Sequence, residues 1–425
     1  MSVFNRGDSS RKKSIAVAVL LWCPLAAASA AGIDLDAAES LALERDARLA
    51  GLAERRQALQ EDAVAVGQLP DPEMRLGALN LPVDSFALDQ EPMTQVQVGL
   101  RQRFPRGHSR ALNRDRMEIL AQAESDRADA RRRDVVRALR RAWTERARIA
   151  EATAILRDQQ QWFAQLEEAV TSAYAAGRRQ QQDLLRIAME RDLLEEDAVR
   201  LHQLALDQDA TLRQLLGDSG IRADVSRLPV LPLPPDPQQG AEALARHPLI
   251  LAELRQVEAG SVGVEIAQQD YRPAWALDVA YGFREGRDND GDQRPDFFSA
   301  MISFDLPLFR SQRQDRKVAS ANARESEQRS RLQDLQRQLM QQFQAASGDW
   351  ESLDQRLRLF EQRVMPAADA TVQATRQAYR NDVAPFDELV RAEKTVLDAR
   401  TRLLRLKAER LQTQADLLYL TGDTP

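Results

Sequence analysis

Thiols are nearly missing from this chain. Of its 425 residues only Cys23 is a cysteine, and it falls in an N-terminal stretch that reads as an export signal. Arg11, Lys12 and Lys13 precede an apolar run from Ile15 to Leu25, and Ala28-Ser29-Ala30 offers a small-x-small cleavage site. Residues 1–30 therefore read as a signal peptide and the mature chain as beginning at Ala31. Trp22, just ahead of Cys23, is too bulky for lipoprotein processing, which predicts a non-lipidated protein. Loss of the signal leaves neither a disulfide nor a thiolate metal site in the oxidising compartment that the chain enters.

Other absences exclude whole classes of function. His108, His202 and His247 stand far apart without ligand spacing, and no phosphate loop, nucleophile elbow or H-E-x-x-H is present, so the reading is of a non-enzyme without cofactor or resident metal. Asp288-Asn289-Asp290-Gly291-Asp292 opens like a calcium loop, but Gln293 and Ser299 stand where that loop needs Gly and Glu, which predicts a polar loop tip. A net charge of -6 argues against nucleic acid as partner. No apolar stretch beyond the signal reaches the roughly 20 residues of a spanning helix, so any membrane contact falls to strands or to surface association. With 5% aromatic and 29% charged residues, the usage is that of long helices rather than of a compact enzyme.

What the chain does contain, it contains twice. Pro72, Pro105, Tyr174, Leu184 and Gly217 recur as Pro273, Pro307, Tyr379, Leu389 and Gly422, at an offset that stays between about 201 and 205 residues. Each copy runs helix, two short strands, two long helices. The first repeat is placed at 31–227, with strands near 73–80 and 94–104 and helices 109–173 and 181–217. The second is placed at 240–425, with strands near 275–283 and 297–306 and helices 311–378 and 387–421. Ser109 and Ser311 are the expected N-caps of the longest helices. Between the repeats, Pro229, Pro232, Pro234, Pro235 and Pro237 predict a semi-rigid linker over 228–239 without regular structure.

The last helix of each copy carries a heptad seam. Leu184, Ile187, Arg191, Leu194, Ala198, Leu201, Ala205, Gln208, Leu212 and Leu215 alternate three and four residues apart, and Leu389, Ala392, Val396, Ala399, Leu403, Leu406, Arg410, Thr413, Leu417 and Leu420 hold the same register. In the helix before, Phe343, Ala346, Trp350, Leu353, Leu357, Phe360, Val364 and Ala367 continue that spacing. Helices of this length are rods of roughly 100 Å.

The strand segments show the opposite period. Val96, Val98 and Leu100 alternate with polar neighbours, as do Trp275, Leu277, Val279 and Tyr281, and Phe298, Ala300, Ile302 and Phe304; Met74 to Asn80 alternates less cleanly. Strands of about ten residues, aromatic at their ends and joined by a hydrophilic loop from Arg284 to Asp296, fit a membrane barrel. Alternation alone also fits a wet sheet packed on helices, which would make the protein a periplasmic coiled-coil scaffold. Four strands cannot close a barrel, and lipid tolerates no open edge, so a barrel would have to be shared among chains.

Taken in order, these features resemble the TolC-like outer-membrane efflux family. The resemblance rests on the duplicated halves, on the run LPDPEMRLGALNLPVDSF from Leu69 to Phe86, on FPRG from Phe104 to Gly107, and on Y-x-x-G followed by a leucine pair at Tyr174-Ala175-Ala176-Gly177 and Leu184-Leu185. The second copy departs from the last motif, with Tyr379-Arg380-Asn381-Asp382 and Leu389-Val390. The segment from LPVDSF to EPMTQ is similar to members of the heavy-metal efflux branch.

The resemblance implies a mainly α fold with transmembrane β: a homotrimer whose twelve-stranded barrel sits in outer-membrane lipid of a Gram-negative cell and whose coiled-coil helices form an α-barrel across the periplasm. It implies a passive conduit of a tripartite pump of the resistance nodulation division type, meeting a periplasmic adaptor (membrane fusion protein) and, through it, an inner-membrane transporter. The adaptor-contact turns would be Ala176, Gly177, Arg178 and Arg179 with Asn381, Asp382, Val383 and Ala384. Asp382 is expected to fit a left-handed turn less well than Gly177. Asp183 and Glu388 occupy equivalent places six residues beyond Gly177 and Asp382, and in a trimer could form a ring of carboxylates at the tunnel mouth; a solvated helix face is the plainer expectation for both.

Overall fold

The computed structural model describes residues 33–217 and 224–422; the expected signal sequence, with Cys23 and its cleavage site, lies outside the described residues. The first half runs α1 (Leu35–Arg45), α2 (Ala47–Gly67), β1 (Glu73–Leu79), β2 (Gln95–Phe104), α3 (Ser109–Ala175) and α4 (Gln181–Leu216). The second runs α5 (Pro237–Leu244), α6 (Pro248–Gln269), β3 (Trp275–Phe283), β4 (Phe297–Phe304), α7 (Gln314–Leu359), α8 (Met365–Arg380) and α9 (Phe386–Thr421). Shifting the bounds of α4 by 205 residues gives those of α9. The mainly helical fold with four strands is the class that the sequence pattern indicates.

Several local expectations are corrected. The helix expected over 311–378 is not continuous: a 3-10 turn at Arg310–Gln312 precedes α7, and a wide π turn at Phe360–Val364 separates α7 from α8. Pro366 accounts for the break, because it has no N–H to give the carbonyl four residues back and its ring crowds that carbonyl. The helix widens instead, and Met365 N–H bonds to the Phe360 carbonyl five residues back. Neither serine is an N-cap. Ser109 is the first residue of α3, behind His108, and Ser311 lies in the 3-10 turn, with Arg313 at the cap position of α7. The proline-rich linker is irregular only up to Asp236, since Pro237 opens α5 at a helical position where its missing N–H costs nothing.

The elements lie side by side in strips four wide. The sheet order is β1-β2-β3-β4, antiparallel throughout. Beside it the helices run α2-α3-α6-α7, and at the far end α4-α3-α9-α8. At both helical levels α3 and a member of the second repeat sit in the centre, as β2 and β3 do in the sheet, and within each strip the outer elements have a neighbour on one side only. Burial follows: α9 is buried along its length from Phe386 to Thr421, whereas α4 buries only Ile187, Glu190, Leu194, Leu212 and Leu216. The heptad seams of both helices do face inward, with Arg191 the exposed exception in α4.

The two repeats are fastened where strands pass into helices. Phe104 stacks on Trp275 with ring centroids 3.8 Å apart. Arg106 reaches from the first repeat to Asp270 at 2.9 Å and Asp305 at 2.5 Å in the second, holding the Asp305 carboxyl below its usual range. Gly107 has φ +46°, and a Cβ there would crowd Gln269 Oε1 and Arg272 Cδ, so that these long side chains would have to shift and Gln269 would give up its bond from His108 N–H. The FPRG run is thus a clamp whose glycine is needed first for its conformation. Replacing Gly107 with Ala is expected to destabilise the chain by about 2–3 kcal/mol, adding a clash to the strain of a left-handed residue. Gly177→Ala, where φ is +71° but the space is open, should cost only about 1 kcal/mol. Thermal unfolding of the two variants side by side tests the difference.

Candidate functional site

Two regions carry the functional geometry: the faces of the sheet and the turns at the far end of the helices. In the sheet, register sorts side chains by face. Met74, Leu100, Val279 and Ala300 line up across the four strands, as do Leu76, Val98, Tyr281 and Phe298. Toward the helices the row Phe104, Trp275 and Phe304 is wholly aromatic. This face is apolar and exposed: Leu76 is 71%, Phe298 70% and Ile302 56% accessible. Trp275 and Tyr281 are six residues apart along β3, about 20 Å of strand, so aromatics stand at both ends of the apolar band.

The opposite face is charged. Arg75 meets Asp278 at 3.1 Å and Glu73 at 3.7 Å, Arg101 meets Asp278 at 3.6 Å, and Arg103 meets Glu73 at 2.8 Å. Gln97, Gly99 and Ser299 share this face, with Phe297 in the row of Gln97 and Met301 beside Asp278. A sheet with one apolar face and one largely polar, ion-paired face suits a boundary between oil and water. Alternation could not say whether the apolar face meets the helices; among the described residues it is left exposed.

Of the expected tip residues, Ala176 to Arg179 form the turn from α3 into α4, and Asn381 to Ala384 the turn from α8 into α9. The two turns are built alike. Gly177 N–H bonds to the Tyr174 carbonyl and Arg178 N–H to that of Ala173; Asp382 and Val383 repeat these bonds to Tyr379 and Ala378, all at 2.9–3.1 Å. This is the six-to-one closure that satisfies orphan carbonyls at a helix end. Asp382 takes φ +55°, so the second turn keeps the left-handed conformation of the first at a residue that fits it less well than Gly177; aspartate is among the few non-glycine residues that enter that region at modest cost.

The side chains are less alike than the backbones. Arg179 crosses from the first turn to the second, with its guanidinium over the Tyr379 ring at 4.6 Å and 3.3 Å from Asp382. Burial raises the Tyr379 phenol above its usual pKa; Arg179 opposes this, and Asp183 and Asp382 add to it. Asp183 is therefore drawn into this cluster and half-buried, whereas Glu388, its equivalent in α9, is exposed. Both lie in the first turn of their helices, where the dipole favours a carboxylate. Arg178, Asn381, Asp382 and Val383 are exposed, and Ala384 is buried with Phe386.

Sequence reasoning missed the ion pairs behind the turns. Arg376 holds the fully buried Glu393 through two bonds, and Lys394 meets Glu190 at 2.8 Å. Arg376 also lies over Trp162, 5.1 Å from its centroid. Glu393 follows the seam residue Ala392, a carboxylate beside a buried heptad position, which was the available signal. Among the described residues no group of three or more potential ligands could hold a metal ion, and no helix is long and apolar enough to cross a membrane. Asp288 caps its own loop, accepting N–H bonds from Asp290 and Asp292.

Removing the Arg179 side chain should loosen the far turns. Arg179→Ala is expected to raise amide exchange at 172–183 and 381–388 about two- to fivefold, the worth of one partly exposed ion pair and one cation–π contact, while Arg178→Ala leaves it unchanged. Equal exchange in both variants would refute the bridging role.

Residues 240–423 match the family described as outer membrane efflux protein. Among solved structures, the outer-membrane channel OprN superposes with TM-score 0.77 at 17% identity, covering 92% of this chain and 90% of that one. CusC, a protein described as undergoing folding and transmembrane channel formation, gives 0.76 at 15%, covering 92% and 93%. The outer membrane protein VceC of Vibrio cholerae gives 0.75 at 18%, covering 91% and 96%. At these identities the likeness is one of fold. No curated protein matches by sequence.

Proposed function

We propose that this chain, whose residues 240–423 match the outer membrane efflux protein family, forms the outer-membrane channel of a tripartite efflux system. The observation that carries the reading is the coincidence of two features in one sheet: an uncovered apolar face rimmed by aromatics, and unpaired edges at β1 and β4. Hydrocarbon satisfies the first but makes the second intolerable, because no water is present to bond the edge amides. Copies of the chain must supply the missing partners. Three copies of a four-stranded sheet give a barrel of twelve strands, wide enough to leave a lumen once the polar face turns inward.

The helices obey the same closure. Leu185, Met189, Leu193, Val199 and Leu206 leave an apolar stripe exposed on α4, an edge helix. Packing that stripe against the other edge of the next copy continues the helical wall around the tunnel. In this reading the conduit is passive and export is driven by the inner-membrane partner. Cargo is set by that transporter, whether metal ion or drug. The turns around Gly177 and Asp382 are the contact surface for a periplasmic adaptor, and Asp183 with Glu388 places carboxylates near the tunnel mouth.

The precursor expressed in a Gram-negative host should give, in outer membranes, a heat-sensitive band near three times the monomer mass on a denaturing gel. A soluble periplasmic monomer would sink the channel reading in favour of a scaffold. Val98→Arg and Ile302→Arg should each cost about 2–4 kcal/mol if those sites lie at mid-bilayer, and Ser299→Arg, on the polar face, nearly nothing; loss of the trimer band measures all three. Because the mature chain has no cysteine, Arg178→Cys carrying a photo-crosslinker should capture the cognate adaptor, and the same label at Asp292, in the β3–β4 loop, should not.

A further inference from the structure

The pseudo-symmetry that builds the fold is broken at one charged position, beside a cavity. Helices α2 and α6 are equivalents, and each begins with a side chain that caps its own N-terminus: Asp46 accepts from Leu49 N–H at 2.8 Å, and His247 Nδ1 from Leu249 N–H at 3.3 Å. In the first repeat the Asp46 carboxylate also neutralises Arg131 on α3, at 2.8 Å. In the second the capping residue is an imidazole. Burial, reinforced by Arg133 and Arg137, lowers the His247 pKa to about 4, so the ring is uncharged and neutralises nothing.

Among the described residues Arg133 has no hydrogen-bonded carboxylate of the kind that Arg131 has; Asp129, four residues back on α3, acts on it electrostatically but is bonded to Arg132. The Arg133 guanidinium stands at the C-terminal end of α9, against Gly422, with burial holding its pKa below the usual arginine value. The Nη1 atom is buried and meets no hydrogen-bond partner among the described residues. Neighbouring arginines are already paired: Arg132 with Asp129, Arg137 with Asp134 at 2.6 Å, and Arg140 with Glu39 at 2.7 Å. A buried guanidinium donor without an acceptor is costly, and the missing partner is an anion.

Space for one exists. A cavity of about 400 Å³ opens between α3, the start of α6 and α9, with Arg133, the exposed Arg246 and one carboxylate, the Arg132-paired Asp129, on its polar side and Leu251, Leu418 and Tyr419 on its apolar side. Arg137 lies over the Tyr419 ring at 4.0 Å and fixes it as part of that wall. We propose that this cavity is a binding site for a small organic anion, a phosphate or carboxylate on an apolar body, held by Arg133 and Arg246 with its body against Tyr419. The site lies among the helices, away from both the sheet and the far turns.

Calorimetric titration of the purified full-length oligomer with phenyl phosphate tests this directly. One equivalent should bind per chain, and inorganic phosphate should bind at least about tenfold more weakly for want of the apolar contact. Arg133→Gln should weaken phenyl phosphate at least about tenfold, the scale of a lost charge-assisted bond. His247→Asp, which restores the acid found at the equivalent Asp46 and keeps a good N-cap, should abolish binding while the unfolding temperature holds or rises. No heat with the wild-type chain, or wild-type affinity in either variant, would overturn the proposal. Binding that emerges only after Asp423→Asn would also overturn it, by assigning the place to the chain's own carboxylate. None of these readouts depends on efflux, so the proposal can fail while the channel reading stands.

Discussion

A strand edge without a partner is the constraint on which the rest of this molecule depends. Each backbone amide or carbonyl along β1 and β4 that faces hydrocarbon unpaired costs several kcal/mol, and four strands are too few to bend back on themselves. The proposed ring meets that constraint. The helical levels repeat the four-wide order of the sheet, so in such a ring one rotation that pairs β4 with the next β1 would also bring the edge helices together.

That division of labour explains the uneven burial. Helices α3 and α9 lie at the centre of the strip and are bonded on both sides, with fully buried residues such as Leu139, Phe163, Leu389 and Leu406. Here the chain can bury charge, provided that the charge is paired: Arg140 with Glu39, Arg376 with Glu393. Such pairs gain little net stability over apolar residues, but breaking one partner is costly, so they fix helix register in a core made largely of small and aliphatic side chains. The edge helix α4 buries Glu190 against Lys394 but keeps leucines in the open.

Duplication supplies the geometry and divergence supplies the differences. The turns around Gly177 and Asp382 share their hydrogen bonds, yet one sends out Arg179 and the other receives it on Tyr379 and Asp382. The N-caps of α2 and α6 share their role, yet Asp46 is charged and His247 is not. Equivalent positions kept the backbone task and lost the shared side-chain chemistry, which frees one copy for a ligand or a contact.

Periodicity made much of this legible from residues alone. The heptads of α4 and α9, the two-residue alternation of β2, β3 and β4, and the repeat offset are local patterns, and local patterns follow from the 3.6- and 2-residue geometries of the backbone. The seams gave no sign that α9 is central and α4 an edge, because a heptad reports that one face is covered and not how many faces are. The helix expected over 311–378 runs through Pro366, whose effect, a wide turn rather than an end, depends on neighbours holding the helix on either side. The pairing of Arg75 with Asp278, some 200 residues apart, and the unbonded Nη1 of Arg133 were beyond any sequence pattern. The sequence by itself determined which segments are rods, which are strands and which strand face is apolar, since those depend on spacing along one chain. Only the tertiary structure decided which elements are edges, which charges find partners and which do not, since those depend on distances between segments that the chain brings together.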